Sequence, residues 1–164
     1  MDRIFAPIET PRLRLEPLST ELAHAILAGD FSGLTAGRGW PHSDTADGLR
    51  MALLRGHPPG WLILLRGAAE HADDIVIGDC GTHGPADADG TIEIGYGLAP
   101  RYRGRGFGTE VVTALTRWLL AQPGIRRVRA RTHVGNVPSR RILEKAGFRQ
   151  ESLTGTEIVL VTGD

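Results

Sequence analysis

Three glycines stand at alternate positions in the segment RGRGFGT, residues 103–109, between a predicted strand and a predicted helix. This spacing removes side chains from one turn of backbone, so the exposed N–H groups can point at an anion. The dipole of the following helix adds to the attraction, and Arg103 or Arg105 can supply charge-assisted hydrogen bonds. The expected ligand is a phosphate or pyrophosphate, and the alternative is a tight turn with solvated arginines.

Two common nucleotide-binding loops do not fit this segment. A Walker A loop needs Gly-Lys followed by Ser or Thr, and the segment contains no lysine. A dinucleotide fingerprint needs a third glycine three residues after the second. That position holds Thr109 when counting starts at Gly104, and Val111 when it starts at Gly106. A different phosphate-bearing ligand is therefore expected.

The elements around this loop predict an α/β fold with a mixed, mostly antiparallel central sheet of about seven strands and flanking helices. The predicted order is β, αα, βββ, α, β, α, ββ. Strands are expected near 13–15, 61–65, 75–78, 91–98, 128–134, 148–153 and 157–161, and helices near 19–28, 44–55, 108–121 and 136–145. The strands on either side of the glycine loop and its helix form a right-handed crossover, so they should be parallel.

The composition narrows the class of protein. A length of 164 residues suits one domain spanning 1–164. The single cysteine, Cys80, excludes an internal disulfide, and no signal peptide or membrane-spanning run is recognised, so a cytoplasmic protein is expected. Lys plus Arg and Asp plus Glu both number 19, which argues against an RNA-binding domain. Cys80 and His83 form a lone C-x-x-H, too little for a metal site.

Two motifs resemble the GNAT N-acetyltransferase superfamily. Its pyrophosphate motif, Arg/Gln-x-x-Gly-x-Gly/Ala, is matched by Arg103, Gly106 and Gly108. The segment NVPS at 136–139, followed by LEKAGF at 143–148, is similar to a second family signature. TPRLRL at 10–15 and EIGY at 93–96 resemble the branch of ribosomal-protein N-terminal acetylases, the RimJ/RimL type. The resemblance covers nearly the whole chain.

The resemblance implies an enzyme that uses acetyl-CoA and transfers the acetyl group directly to an amine, without an acyl-enzyme and without a metal. It also implies that the strands before and after the cofactor helix splay apart, with pantetheine hydrogen-bonded to the first. Gly95 and Gly97 would allow that close approach, although a β-bulge is an equally good use for either. The cofactor-binding residues expected are Leu98, Arg103, Gly104, Arg105, Gly106, Phe107, Gly108, Thr109 and Asn136.

Two residues are candidates for catalysis. Glu93 is a candidate general base, because acidic residues on this strand serve as bases in several GNATs; His133 or water is an alternative, and so is a structural carboxylate at 93. Many GNATs carry a tyrosine as general acid in the last helix, but Leu143 stands at that position. In some ribosomal-protein acetylases a serine at the position of Ser139 takes this role, so Ser139 is a candidate general acid; the alternative is that it satisfies an N–H at the helix start.

The acceptor is left open by the sequence. Trp40, Pro41 and His42 lie in a segment that usually builds the acceptor pocket in this family, whereas Trp61 is more consistent with the core. The predicted partners are acetyl-CoA and an amine, either a protein N-terminus or a small molecule, with no nucleic acid or membrane, in a monomer or homodimer. The alternative function is a non-catalytic module that binds or senses acyl-CoA on the same fold.

Overall fold

A computed structural model of the protein describes residues 5–67 and 73–164. One eight-stranded sheet runs through them in the order β1-β2-β3-β4-β5-β6-β8-β7. The strands are β1 Ile8–Glu9, β2 Leu13–Pro17, β3 Trp61–Leu65, β4 Ile75–Thr82, β5 Thr91–Leu98, β6 Arg127–His133, β7 Arg149–Thr154 and β8 Glu157–Gly163. The helices are α1 Thr20–Leu27, α2 Thr45–Leu54, α3 Phe107–Leu120 and α4 Val137–Lys145, and a short 3-10 turn spans Pro100–Tyr102.

The predicted α/β architecture and the element order are confirmed, with one strand added. β1 has two residues and pairs with β2 through Ile8 and Leu15, and a strand of that length is too short to show an alternating pattern. Among the strands described, β5 and β6 form the single parallel pair, as the right-handed crossover through α3 requires.

Two of the helices, α1 and α4, begin at side-chain caps, and α4 ends at a glycine. Ser19 accepts a hydrogen bond from the N–H of Leu22 at the start of α1, and Asn136 caps α4 by accepting from Ser139 N. Gly147 ends α4 with a φ of 94°, a conformation that favours glycine. Two hydrogen bonds close that end, from Gly147 N to Glu144 O and from Phe148 N to Leu143 O.

The core lies between the sheet and its helices. Val111, Leu115 and Leu119 form the buried stripe of α3, which packs against α4 and against β5 and β6. Trp61 is fully buried in β3, so the predicted core role is correct, and its indole N–H donates to the carbonyl of Ala6. α1 packs on α2, and this pair lies across the sheet from α3 and α4.

β5 and β6 separate before either strand ends. Their parallel pairing runs from Thr91↔Arg127 to Ile94↔Ala130, yet β5 continues to Leu98 and β6 to His133. The other edge of β5 remains paired with β4 in continuous register from Gly78↔Leu98 to Thr82↔Ile94. The implied splay is therefore present, and it leaves one edge of residues 95–98 open. The continuous register also shows that neither Gly95 nor Gly97 forms a bulge.

Candidate active site

The glycine loop presents the N-terminus of α3 at the end of β5. Gly104 and Gly106 have φ angles of 74° and 82°, and Gly106 is the N-cap of the helix. Both angles lie in the region that side-chain-bearing residues rarely adopt, so the loop depends on these two glycines. Glu110 N makes the first helical hydrogen bond, to Gly106 O. The N–H groups before it have no helical partner and are suited to an anion.

Gly108 has a further, structural reason to be glycine. A Cβ atom built at this buried position would lie 2.6 Å from Cδ1 of Ile142 in α4, well inside van der Waals contact. The missing side chain therefore lets α3 and α4 approach closely. The third glycine of the motif fixes the packing of the two helices that flank the splay, which the spacing of the glycines alone did not reveal.

Arg103 and Arg105 both take part in hydrogen bonds that hold the loop in place. Arg103 Nε donates to the carbonyl of Leu98 at 3.0 Å, which fastens the loop to the end of β5. The carbonyl of Arg105 accepts from Nη1 of Arg12 at 3.0 Å. All the predicted cofactor residues from Leu98 to Thr109 are thus brought to one end of β5, and Asn136 lies at the start of the neighbouring helix.

Arg12 contacts both the loop and the first turn of α3, a structural role that the sequence analysis missed. Its guanidinium carbon lies 4.4 Å from the centre of the Phe107 ring, and its Nε donates to Glu110 Oε1 at 2.8 Å. Burial raises the pKa of Glu110, but hydrogen bonds from Thr10 and Arg12 outweigh it, so that pKa is lowered. Arg12 lies in the segment 10–15, which the sequence analysis used only for its resemblance to the RimJ/RimL branch.

Ser139 faces β5 from the first turn of α4. Its backbone N–H donates to Asn136 Oδ1 at 3.2 Å, whereas its Oγ lies 2.9 Å from the hydroxyl oxygen of Tyr96. The side-chain hydroxyl therefore points to the strand, while the asparagine serves the helix start. Burial raises the pKa of Tyr96, which keeps that phenol protonated. The pair forms two neutral hydroxyls on the α4 face of β5.

Glu93 occupies the opposite face of β5 and is held by three partners. Its Oε1 accepts from Arg129 Nε at 3.0 Å and from Arg131 Nε at 2.8 Å, and its Oε2 lies 2.9 Å from Nδ1 of His83. The bond from His83, followed by those from Arg131 and Arg129, lowers the pKa of Glu93 to about 2 although burial opposes the change. Glu93 is therefore ionised at neutral pH.

The link between His83 and Glu93 also escaped the sequence analysis, which considered His83 only as part of a C-x-x-H pair. Antiparallel pairing places these two residues opposite each other, since His83 N donates to Glu93 O at 2.8 Å. The succession of two predicted strands on either side of His83 contained the signal, but the strand register was needed to use it. The side chain of His83 is 57% exposed, against 14% for Glu93.

A cavity of about 550 Å³ opens between α2 and the face of the sheet that carries Glu93. Four carboxylates line it and outnumber its single arginine, Arg55: these are Asp44, Asp47, Asp79 and Glu93. Apolar side chains, including Leu49 and Met51, supply the rest of the wall. Three of these carboxylates have basic partners: Glu93 pairs with Arg129 and Arg131, Asp47 with Arg50 and Asp79 with His42. The cavity can therefore admit a polar group with an apolar neighbour.

The segment predicted to build the acceptor pocket reaches this cavity through His42. Its Nε2 lies 3.2 Å from Asp79 Oδ2, and only 4% of its side chain is exposed. Asp79 raises the pKa of His42 in spite of burial. Trp40 Nε1 and Thr45 Oγ1 donate to the same carboxylate at 3.0 and 2.7 Å. Trp40 is itself buried, so it positions Asp79 instead of lining the pocket.

The remaining candidates take structural positions. His133 Nδ1 accepts from Gly135 N at 3.0 Å, which stabilises the turn after β6. Arg127 pairs with Glu151 at 2.7 Å, and Arg129 and Arg131 are bound to Glu93, so all three arginines on this face of β6 are salt-bridged. Burial, reinforced by the charge of Asp79, raises the pKa of the Cys80 thiol far above its usual range. A thiol held in this way is a poor nucleophile.

Residues 5–67 and 73–164 contain neither a metal-binding cluster nor a membrane-spanning helix. No cluster of three or more His, Cys, Asp or Glu side chains in this part of the chain is placed to hold a metal ion. None of the helices found there has the length and apolar character needed to cross a membrane.

Comparison with known proteins gives a consistent result. Residues 12–149 match the family described as acetyltransferase (GNAT) domain. The chain is 29% identical to an uncharacterized N-acetyltransferase, YjdG, of Bacillus subtilis (strain 168), over 86% of this chain and 88% of that protein.

Solved structures show the same fold. A GNAT-family acetyltransferase from Bacillus anthracis superposes with a TM-score of 0.67 at 18% identity, covering 96% of this chain and 98% of that one. RimL, a ribosomal L7/L12 alpha-N-protein acetyltransferase solved with coenzyme A, gives 0.66 at 17% identity, with coverage of 96% and 98%. RimL represents the branch that segments 10–15 and 93–96 resemble. With the splayed strands and the glycine loop, these matches establish that the chain belongs to the GNAT acetyltransferase family and is an acetyl-CoA-dependent acetyltransferase.

Proposed function

We propose that this acetyltransferase transfers the acetyl group of acetyl-CoA directly to a primary amine, in one step of attack on the thioester. The observation that carries the proposal is the open edge of β5 after Ile94. One face of that edge carries Glu93 and His83, the other carries Tyr96 and Ser139, and the glycine loop closes its end. An acyl group on this edge would have an acceptor cavity on one side and proton donors on the other.

The chain's own groups fit coenzyme A at this place. The first-turn N–H groups of α3, oriented by Gly104 and Gly106, are suited to the pyrophosphate. The unpaired edge of residues 95–98 offers backbone hydrogen bonds to the amides of pantetheine, as a strand edge does to an added strand. Arg103, which holds Leu98 O, completes the connection between the two parts.

Direct transfer is supported by the state of Cys80. Ping-pong chemistry requires an activated nucleophile, and this buried thiol has a pKa displaced in the wrong direction. The amine therefore attacks the thioester itself. Ser139, hydrogen-bonded to Tyr96, is placed to donate to the departing sulfur. A thiol with a pKa of about 8.5 can leave largely as thiolate, so this donor is expected to help only moderately.

The cavity on the Glu93 face is the proposed acceptor pocket. It lies beside the open edge of β5 and combines polar groups with apolar side chains, which suits an amine that carries an apolar neighbour. An α-amine, with a pKa of about 8, is neutral far more often at pH 7 than a lysine amine, with a pKa of about 10.4. An N-terminal α-amine or a small amine of similar basicity is the favoured acceptor class.

The proposal is tested by offering acetyl-CoA with a panel of peptide and small-molecule amines and following release of the free thiol. Mass spectrometry should show a gain of one acetyl group on the amine and no stable adduct on Cys80. Amine-dependent release is the expected result. Tight acetyl-CoA binding without turnover on any amine would instead support a sensing module and overturn the enzymatic assignment.

The cofactor site is tested with two matched glycine variants. Gly104 and Gly155 both have positive φ, 74° and 62°, and a Cβ at either would meet nothing within 4 Å. Gly104→Ala and Gly155→Ala therefore carry similar backbone strain, but only the first alters the proposed phosphate loop. Calorimetry should show acetyl-CoA affinity reduced about tenfold or more in Gly104→Ala and unchanged in Gly155→Ala, since about 1.4 kcal/mol corresponds to tenfold. Equal affinities would remove the pyrophosphate assignment.

A further inference from the structure

We propose that His83 is the catalytic residue that accepts a proton from the acceptor amine, and that Glu93 is its positioning residue. This inference rests on the proposed amine acetyltransferase function and adds a group that the sequence motifs do not contain. Its basis is the geometry of the two side chains above the point where β5 leaves β6.

Glu93 sets the orientation of the imidazole. Arg129 and Arg131 both bind its Oε1, which leaves Oε2 to face Nδ1 of His83 at 2.9 Å. An ionised carboxylate accepts hydrogen bonds and cannot donate, so Nδ1 must carry the hydrogen. In the neutral ring the lone pair is then on Nε2. This carboxylate–imidazole pairing is the usual way to orient a histidine for proton transfer.

The Nε2 atom lies over the open part of β5. A Cβ atom at Gly95 would be 2.6 Å from His83 Nε2, so the absent side chain makes room for the imidazole. Gly95 is also the first residue of β5 beyond the last pair with β6, at Ile94. The lone pair therefore sits where the acceptor cavity meets the edge proposed to hold the thioester.

His83 differs from the other histidine above this strand. His42 lies over Gly97, two residues further along and so about 7 Å away, but its side chain is 4% exposed and lies against Asp79. The His83 side chain is 57% exposed and can exchange its proton with water after each turnover. Glu93 itself has a pKa of about 2, too low for an efficient proton acceptor at neutral pH.

The proposed step releases one proton overall. The ammonium form of the acceptor gives one proton to Nε2, and the resulting imidazolium passes it to water. The neutral nitrogen attacks the thioester carbonyl, so a C–N bond forms and the carbonyl becomes tetrahedral; the C–S bond then breaks with its electron pair on sulfur. The second proton, lost from nitrogen as the tetrahedral intermediate collapses, ends on the thiolate. The products are an acetamide, free thiol and one proton in solution.

The first test compares His83→Gln with His24→Gln. Glutamine can still donate to Glu93 but cannot serve as a proton acceptor, and His24 is an exposed residue of α1 outside the cavity. We expect kcat/KM at pH 7 to fall about 100-fold or more in His83→Gln, with unchanged acetyl-CoA affinity and melting temperature. His24→Gln should match the wild type. Near-wild-type turnover in folded His83→Gln overturns the inference. A 100-fold loss of kcat/KM in His133→Gln, with His83→Gln unaffected, would assign the proton acceptor to His133 instead.

The second test separates proton transfer from a merely structural role. Histidine changes charge between about pH 5 and 8, so the acid limb of the kcat/KM profile should disappear in His83→Gln. The other charged or titratable groups facing this cavity are Glu93 with its partners Arg129 and Arg131, and His42, Asp44, Asp47, Arg55, His57, Asp79, Cys80 and Tyr96. An unchanged acid limb would assign the titration to one of these. Added imidazole should restore activity to His83→Ala, whose side-chain site is open to solvent.

The third test moves the imidazole without changing it. Gly95→Ala places a methyl group against Nε2, and the exposed ring can swing away, so the protein should fold. Activity should fall at least tenfold with a basic amine acceptor. The loss should be smaller with an acceptor amine of low pKa. Full activity in Gly95→Ala contradicts the proposed position of Nε2. Wild-type protein that acetylates no amine at all defeats the proposed function first, and the role of His83 with it.

Discussion

The two faces of β5 differ in kind near Ile94, where the strand leaves β6. The face toward α2 is ionic, with Glu93 bound by two arginines and a histidine. The face toward α4 is neutral, with the hydroxyls of Tyr96 and Ser139 in contact. An ammonium acceptor must lose a charge before it attacks, whereas a thiolate departs with little assistance. In the proposed reaction, the charged groups therefore lie on the side where the acceptor must lose its proton.

The largest effect is expected from Glu93→Gln. Loss of the charge leaves His83 without its anionic partner, so kcat/KM should fall about 100-fold. The matched control is Glu157→Gln, which removes another carboxylate bound to Arg131, at 3.0 Å, but does not touch His83. It should retain most activity. The double variant of His83 and Glu93 should be little worse than the poorer single one, because residues that act as a unit are not additive; full additivity would separate their roles.

A smaller effect is expected on the other face. Ser139→Ala should lower kcat about tenfold to a hundredfold, without changing acetyl-CoA affinity, and the defect should shrink for a thioester with a better leaving thiol. Because Asn136 serves the start of α4, the melting temperature should change little. Ser152→Ala, on the exposed strand β7, is the control. A stable Ser139→Ala enzyme with normal kcat would exclude the hydroxyl from proton donation.

Tyr96→Phe should cost still less, about three- to tenfold in kcat, because the ring is kept and only the partner of Ser139 is lost. Single-turnover measurements with saturating acetyl-CoA give the relevant rate. Should Tyr96→Phe prove more damaging than Ser139→Ala, the phenol and not the serine would be the donor on this face.

The smallest effect concerns stability in acid. The folded pKa of Glu93 is lowered to about 2, so its contribution is present above the unfolded value and is lost as pH falls from about 4.5 toward 2. Wild-type protein should lose about 2 kcal/mol from this group over that range. Denaturant unfolding at pH 5 and pH 3 should show a shallower loss for Glu93→Gln. Parallel curves for the two proteins would mean that the ionic face does not stabilise the fold.

The sequence predicted features formed by neighbouring residues and missed contacts between residues far apart in the chain. The glycine loop between a strand and a helix is a local pattern, written within a few neighbouring residues, and the structure has it. The parallel crossover follows from the order of the elements alone. The pairs His83–Glu93, Tyr96–Ser139 and Arg12–Glu110 are separated by 10, 43 and 98 residues. Such contacts depend on strand register and on which helix covers which face, and neither can be derived from periodicity alone.

Glycine shows the same limit within a single residue type. Gly104 could be read as a turn residue from its neighbours, since a positive φ is a local property. Gly95 and Gly108 instead make room for His83 and Ile142, side chains contributed by another strand end and another helix. A glycine that serves a distant neighbour carries no local signal of that neighbour, so the motif identified the position without its reason.

The placement of β8 has a consequence for biosynthesis. This strand follows all the other described elements along the chain, yet it lies inside the sheet, paired with β6 on one side and β7 on the other. While residues 157–163 are still inside the ribosome, β6 has no partner on that edge and β7 has no place in the sheet. The strands from β1 to β5 can pair with one another earlier on the nascent chain, but β6 gains a partner on its outer edge, and β7 joins the sheet, only when translation has passed β8.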